Sequence, residues 1–83
     1  MYLNKRQREG VTVLTLRCKV AGKRYAKDKA RFGWTKDVHA SWDECESSHN
    51  AVLYAMGDRE AWDNVAEFER DTLSFYGFRG PDA

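Results

Sequence analysis

Residues 11–20 read VTVLTLRCKV, a run in which apolar and polar side chains alternate and β-branched residues are frequent. Leu14, Leu16 and Cys18 would face one side of an extended chain, and the cations between them would face the other. That period of two is typical of a half-buried strand. Residues 21–22, Ala-Gly, suit a tight turn because glycine adopts positive φ.

If this turn closes a hairpin, the strand register places Tyr25 on the apolar face and the cations on the opposite face. A further strand at residues 31–35 would add Phe32 and Trp34 to the apolar face. The sequence therefore predicts a three-stranded antiparallel sheet with one apolar face and one basic outer face.

The rest of the chain has helical spacing. Ser41 and Glu44 match a capping box, and Gly57 is a good residue to end the helix that follows. Asp58 can cap a second helix, which Gly77 would end. We expect an α+β fold in which two C-terminal acidic helices cover the apolar face of the sheet.

A chain of 83 residues and 9.6 kDa has room for one small domain, 1–83. Residues 1–9 are polar and basic, which suggests a flexible arm or a first turn of helix, and residues 78–83 are expected to fray. No apolar run approaches the roughly 20 residues that cross a bilayer, and the basic N-terminus lacks an apolar signal core. We expect a cytoplasmic protein that does not insert in a membrane.

Charge is sorted along the chain, although the net charge is only +1. Residues 1–36 hold eleven Lys and Arg against two acidic residues, which gives +9. Residues 37–83 hold three Arg against eleven Asp and Glu, which gives −8. Such asymmetry indicates either a polyanion-binding surface or a charged protein interface. Neutralisation of one half by the other is the alternative.

The outer face of the predicted sheet is the first candidate site, since dense cations neutralise backbone phosphates and release their counterions. A small sheet can also enter a major groove. We therefore expect a non-enzymatic nucleic-acid-binding module, specifically a DNA-binding one, assisted by the basic arm. The predicted contacts are Arg17, Lys19, Lys23, Arg24, Lys27, Lys29 and Arg31.

The residues Gly22-Lys23-Arg24-Tyr25, followed by Phe32-Gly33-Trp34-Thr35-Lys36, resemble the small three-stranded DNA-binding domains at the front of phage integrases. The resemblance covers residues 22–36 only. The spacing between its two parts is longer here, and residues 37–44 depart from the pattern. It implies a basic hairpin that contacts DNA.

An alternative function uses the acidic half. Glu60, Asp63, Glu67 and Asp71 recur every three or four residues and would form a negative stripe on the second helix. Such a stripe could dock on a basic surface of a host protein, such as a nucleic-acid-processing complex. The chain would then be a small mobile-element or phage-type inhibitor or adaptor, which binds a host protein through its acidic helices or through its basic face.

Metal binding and catalysis receive little support from the sequence. The candidate ligands are Cys18, His39, Cys45 and His49, but they include no Cys-X-X-Cys pair. Acidic residues flank Cys45, whereas a nucleophilic thiolate needs electropositive surroundings. We therefore expect no catalytic residue, no cofactor, no metal and no disulfide.

Overall fold

The computed structural model describes residues 2–81, and this part of the chain is helical apart from short connections. In chain order its elements are α1 (Lys5–Phe32), α2 (Lys36–Ala55), a 3₁₀ helix (Arg59–Asn64) and α3 (Glu67–Phe75). No residue from 2 to 81 belongs to a β-strand. The predicted α+β fold with a three-stranded sheet is therefore wrong, and the molecule is a bundle-like arrangement of helices.

One continuous helix, α1, occupies the place of the predicted hairpin. Leu14 and Ala21 are seven residues apart and both are buried, as expected for one face of a helix. Leu16 and Val20 would share a strand face with Leu14, but they are 56% and 66% exposed. The alternation in residues 11–20 is thus incidental, and the period that matters for burial is the helical one.

The start of α1 lies in the segment that we expected to be a flexible arm. The Asn4 side chain accepts a hydrogen bond from the Gln7 N–H at 2.8 Å, and the Gln7 side chain accepts one from the Asn4 N–H at 3.1 Å. The Arg6 Nε donates to the Phe75 carbonyl oxygen at 2.8 Å. This capping box and contact order residues 5–9 as helix. Met1 lies outside the described residues.

The turn between the first two helices lies at Gly33 rather than at Gly22. Gly33 has φ +67° and donates its N–H to the Lys29 carbonyl oxygen at 3.0 Å. Gly22 lies inside α1, where a Cβ would be 3.8 Å from the Cys45 Sγ. Gly22 therefore lies inside a helix that packs on α2, and the predicted tight turn at residues 21–22 is wrong.

The second helix begins earlier than its predicted cap. Thr35 is the N-cap of α2, and its side chain accepts from the Val38 N–H at 3.4 Å. Ser41 is instead buried inside the helix, with its Oγ 3.1 Å from both the Asp28 carboxylate and the Asp37 carbonyl oxygen. Ser41 therefore joins α2 to α1.

Contacts between α1 and α2 show that they run antiparallel. Gly22 lies near Cys45, and Asp28 lies near Ser41. The residue number therefore increases along α1 in the direction in which it decreases along α2. We call the part of this pair comprising residues 22–46 the distal hairpin.

The second half of the chain agrees with the predicted helix ends but not with a continuous second helix. Gly57 and Gly77 have φ of +112° and +91°, and the Asp58 side chain accepts from the Glu60 N–H at 3.2 Å. Between them, Val65 has extended backbone and separates the 3₁₀ helix from α3. The Ala66 N–H donates to Ser47 Oγ at 2.9 Å, which fixes this break on α2.

The core lies at the end of the molecule opposite the distal hairpin. Leu14, Ala51 and Leu73, one from each α-helix, are fully buried in one cluster. The α3 helix covers the N-terminal half of α1, so the distal hairpin extends away from this cluster. The molecule measures 41 × 23 × 18 Å. A helix of 28 residues, such as α1, spans about 42 Å.

The residues after α3 are packed and not frayed. Phe78 is 8% exposed, and the Tyr54 hydroxyl donates to the Arg79 carbonyl oxygen. A Cβ on Gly80 would lie 3.1 Å from the Trp62 ring, so the chain crosses that ring closely. Residues 78–80 thus contact the rest of the molecule, in the segment where the sequence predicted a frayed tail, and residues 82–83 lie outside the described part.

Candidate nucleic-acid interface

Four of the predicted cations form a line on the solvent side of α1. They are spaced four residues apart, so they wind slowly along one side of the helix over about 18 Å. All are exposed, and none takes part in an ion pair within residues 2–81. We call this set, Lys19, Lys23, Lys27 and Arg31, the basic stripe.

Two other predicted cations have acidic partners within the molecule. The Arg17 guanidinium lies 3.1 Å from the Glu69 carboxylate and donates to Thr72 Oγ1 at 2.9 Å. Arg24 lies 3.8 Å from both the Asp28 and the Glu44 carboxylates. These contacts are the internal neutralisation that the charge sorting left open, and they do not involve the basic stripe.

Lys29, the remaining predicted contact, lies beside a group of aromatic rings. Its ammonium nitrogen is 4.9 Å from the centroid of the Trp34 ring and 5.8 Å from that of Tyr25. A cation over an aromatic face is attracted by the ring quadrupole. Lys29 therefore connects the cations of α1 to the aromatic residues of the distal hairpin.

These aromatic residues form a chain of rings. Ring centroids are separated by 5.1 Å from Trp42 to Tyr25 and by 6.2 Å from Tyr25 to Trp34. The next centroid, that of His39, is 5.1 Å from Trp34. We call this set, Trp42, Tyr25, Trp34 and His39, the aromatic ladder. It joins α1, the Gly33 turn and α2.

The exposure of the aromatics differs from the sequence prediction. Phe32 and Trp34, expected on the buried face of a sheet, are 54% and 58% exposed. Trp42 is 42% exposed. The signal that could have placed them is Gly33 between two large aromatics, since a glycine C-cap sets its neighbours at a helix end, outside the core.

The predicted acidic stripe is divided between two elements. Glu60 and Asp63 lie on the 3₁₀ helix, whereas Glu67 and Asp71 lie on α3. All four are exposed, but the extended residues between the elements interrupt the helical spacing on which the stripe was based. The prediction of one continuous negative stripe on one helix is therefore wrong.

An apolar groove of about 640 Å³ lies between α1, α2 and the start of α3. Leu16, Val20 and Phe68 line it and are more than half exposed. Asp43 lies at its edge and also borders a neighbouring acidic depression, lined in part by Glu46 and Asp63. This groove was not predicted, because the predicted strand placed Leu16 on the buried face of a sheet.

The four candidate metal ligands do not form one site. Cys45 lies beside Cys18 across the helix pair, and His39 lies against Trp34. Burial raises the pKa of the Cys18 thiol, and the adjacent Cys45 raises it further. Among residues 2–81, no group of three or more His, Cys, Asp or Glu side chains is arranged to hold a metal ion.

Comparison with known proteins found no match to any protein-family model, curated protein or solved structure. None of the helices in residues 2–81 has both the length and the apolar character needed to cross a membrane.

Proposed function

We propose that this protein binds nucleic acid without catalysing a reaction, and that the basic stripe on α1 contacts the phosphate backbone. The observation that supports this proposal is the line of four exposed cations that have no acidic partner among residues 2–81. The surface comes from one helix, in place of the sheet face that the sequence predicted.

The dimensions of α1 suit this role. An α-helix with its side chains is about 10–12 Å across, and the major groove of B-DNA is about 12 Å wide. Cations along one side of such a helix can contact phosphates on the groove edges. If all four cations of the stripe do so, log K should fall with log salt concentration with a slope of about −3 to −4.

The test is a pair of double charge reversals that change the net charge equally. Lys23→Glu/Lys27→Glu alters the centre of the stripe, whereas Arg59→Glu/Arg79→Glu alters two exposed arginines elsewhere. Binding to a fluorescent duplex, measured by anisotropy across a salt series, should weaken about tenfold or more in the stripe variant. The control variant should bind like the wild type. Equal losses in both variants would indicate a response to net charge alone and contradict the stripe.

A protein partner is a second candidate function, and the apolar groove favours it. We propose that a basic amphipathic segment of a host protein would place its apolar residues against Phe68, with its cations near Asp43 and Glu46. This is the inhibitor or adaptor function in a form that the groove can support.

A synthetic amphipathic peptide of leucine and lysine tests this second candidate. Phe68→Ala should weaken binding of the peptide, and Phe75→Ala is the matched control, since the two rings are 64% and 63% exposed on the same helix. A scrambled peptide of the same composition should bind less well. Binding that neither the scrambling nor Phe68→Ala reduces would exclude the groove.

A further inference from the structure

We infer that the nucleic acid bound by this protein carries unpaired bases and that these bases stack on the aromatic ladder. This inference rests on the proposed function and adds the class of nucleic acid. A duplex with a single-stranded tail, or a loop beside a stem, would contact the basic stripe through its paired part and the ladder through its unpaired part.

The two tryptophans of the aromatic ladder are exposed to solvent. Trp34 and Trp42 leave 58% and 42% of their surface accessible in a protein whose core is small. Trp62, by contrast, packs against the core with its ring centroid 4.8 Å from that of Tyr54. The indoles of the distal hairpin are therefore in excess of what the core uses, and exposed aromatic surface of this kind serves binding in many proteins.

The rings of the aromatic ladder do not stack flat on one another. Neighbouring rings of the ladder are tilted by 37–53° to one another, so none is covered by a flat stack with its neighbour. Accessible ring surface can then receive a nucleobase. Stacking of this kind accepts any base, because every base has a π-face.

Cations lie beside the exposed rings at the end of α1. Lys29 lies over the Trp34 ring, and the Arg31 guanidinium lies 5.1 Å from the centroid of the Phe32 ring. Each exposed ring at the end of α1 thus has a cation within reach of the phosphate attached to a stacked base. A surface that alternates aromatic rings and cations is what single-stranded nucleic acid requires.

An anionic bilayer could in principle use the same residues. However, the basic stripe continues from Arg31 back along α1 to Lys19, over about 18 Å. An elongated polyanion can follow this line of cations and also reach the rings at the end of α1. The continuity of the basic stripe with the ladder therefore favours nucleic acid.

The experiment compares three probes by fluorescence: a blunt duplex, the same duplex with a single-stranded thymine tail, and anionic phosphatidylglycerol vesicles. Wild-type protein should prefer the tailed duplex. Trp34→Ala should lower affinity for the tailed duplex about tenfold, as expected for loss of one stacked base, and leave blunt-duplex binding unchanged. Phe75→Ala, which removes an equally exposed ring far from the hairpin tip, is the control.

Two further measurements separate a loss of stacking from a loss of folding. Trp34→Phe keeps an aromatic face and should recover most of the preference for the tail, and circular dichroism should show the same helix content in all variants. In a Trp42→Phe/Trp62→Phe background, emission from Trp34 should be quenched by the tailed duplex and not by the blunt one.

The outcomes distinguish the two proposals. If wild type binds neither duplex, the proposed function fails, and this inference fails with it. If it binds both equally and Trp34→Ala changes nothing, the basic stripe remains and the inference is overturned. Binding to vesicles that depends on Trp34, without preference for the tail, would also overturn it and assign the ladder to lipid.

Discussion

At Gly10, the end of α3 comes very close to α1. A Cβ at this position would lie 2.5 Å from the Tyr76 Cβ and 2.7 Å from its Cγ, both much shorter than a van der Waals contact. Because the obstacle is the base of a side chain that packs against the core, it cannot move aside cheaply. The missing side chain therefore sets the distance between the two segments.

We expect Gly10→Ala to destabilise the protein by about 1–3 kcal/mol, because the clash outweighs the gain of about 1 kcal/mol in helix propensity. Gly22→Ala is the matched control, since Gly22 is also inside α1 but its Cβ would make only an ordinary 3.8 Å contact with Cys45. That variant should gain about 0.5–1 kcal/mol. Urea unfolding followed by circular dichroism measures both, and equal effects would contradict the close approach at Gly10.

Gly10 and Gly22 also show that the sequence does not reveal which role a glycine has. A glycine allows either positive φ or close packing, and only the partner that approaches it distinguishes the two. Gly33, Gly57 and Gly77 do have positive φ, and the last two were predicted as helix ends from their spacing. The partners of Gly10 and Gly22 come from elements far along the chain, so no local pattern identified them.

The helices of the described part differ in whether a side chain caps the N-terminus. Three of the four helices have a side-chain N-cap, from Asn4, Thr35 and Asp58. The N-cap of α3 is Ala66, which makes no side-chain cap hydrogen bond although its backbone is extended as a cap requires. α3 therefore begins with donors that a suitable side chain could satisfy.

Ala66→Ser should stabilise the protein by about 0.5–2 kcal/mol, since its hydroxyl can accept from an N–H of the first turn of α3. Ala66 is exposed, so the added oxygen does not need to be buried. Ala40→Ser, the same change at an exposed position inside α2, is the control and should cost about 0.5 kcal/mol through helix propensity. Thermal and urea unfolding of both variants provide the comparison. An Ala66→Ser protein no more stable than Ala40→Ser would show that the cap is not formed.

At the same scale, the incorrect strand prediction has a physical cause. Val, Thr and Leu in residues 11–20 favour strands as single residues and also alternate with polar ones. The helix forms because one of its faces, with Leu14 and Ala21, is buried, and Leu14 lies in one cluster with Ala51 of α2 and Leu73 of α3. Tertiary contacts thus override local propensity, and a sequence pattern over ten residues does not contain them.

The predicted basic surface partly survived this error in the fold. Lys19 was expected on the outer face of the sheet and Lys23 at the hairpin end, and both are exposed on a helix instead. Long cationic side chains stay at the surface in either secondary structure because burying a charge is costly. The exposure of these lysines was therefore predictable from their residue type. Their four-residue spacing places them on one side of the molecule only because they lie on a helix.

At the scale of the whole molecule, the sorted charges act both inside and outside the fold. Some cations of the front half bind carboxylates of the rear half, and the pair Arg17–Glu69 joins α1 to α3. Glu69 is only 4% exposed, so its carboxylate depends on this partner and not on water. The Arg17 guanidinium also lies 4.8 Å from the Phe68 ring centroid, which adds to the same contact.

A double-mutant cycle with Arg17→Met and Glu69→Gln tests this link between the two halves. Arg17→Met should cost about 1–3 kcal/mol, because it leaves a buried carboxylate without its partner, and Glu69→Gln should relieve part of that loss. Arg24→Met with Glu44→Gln is the matched cycle. That pair is more exposed and separated by 3.8 Å instead of 3.1 Å, so its coupling energy should be about 0–0.5 kcal/mol. Both cycles are measured by urea unfolding. Equal coupling energies would show that Arg17–Glu69 contributes no more than an ordinary surface pair to holding α3 on α1.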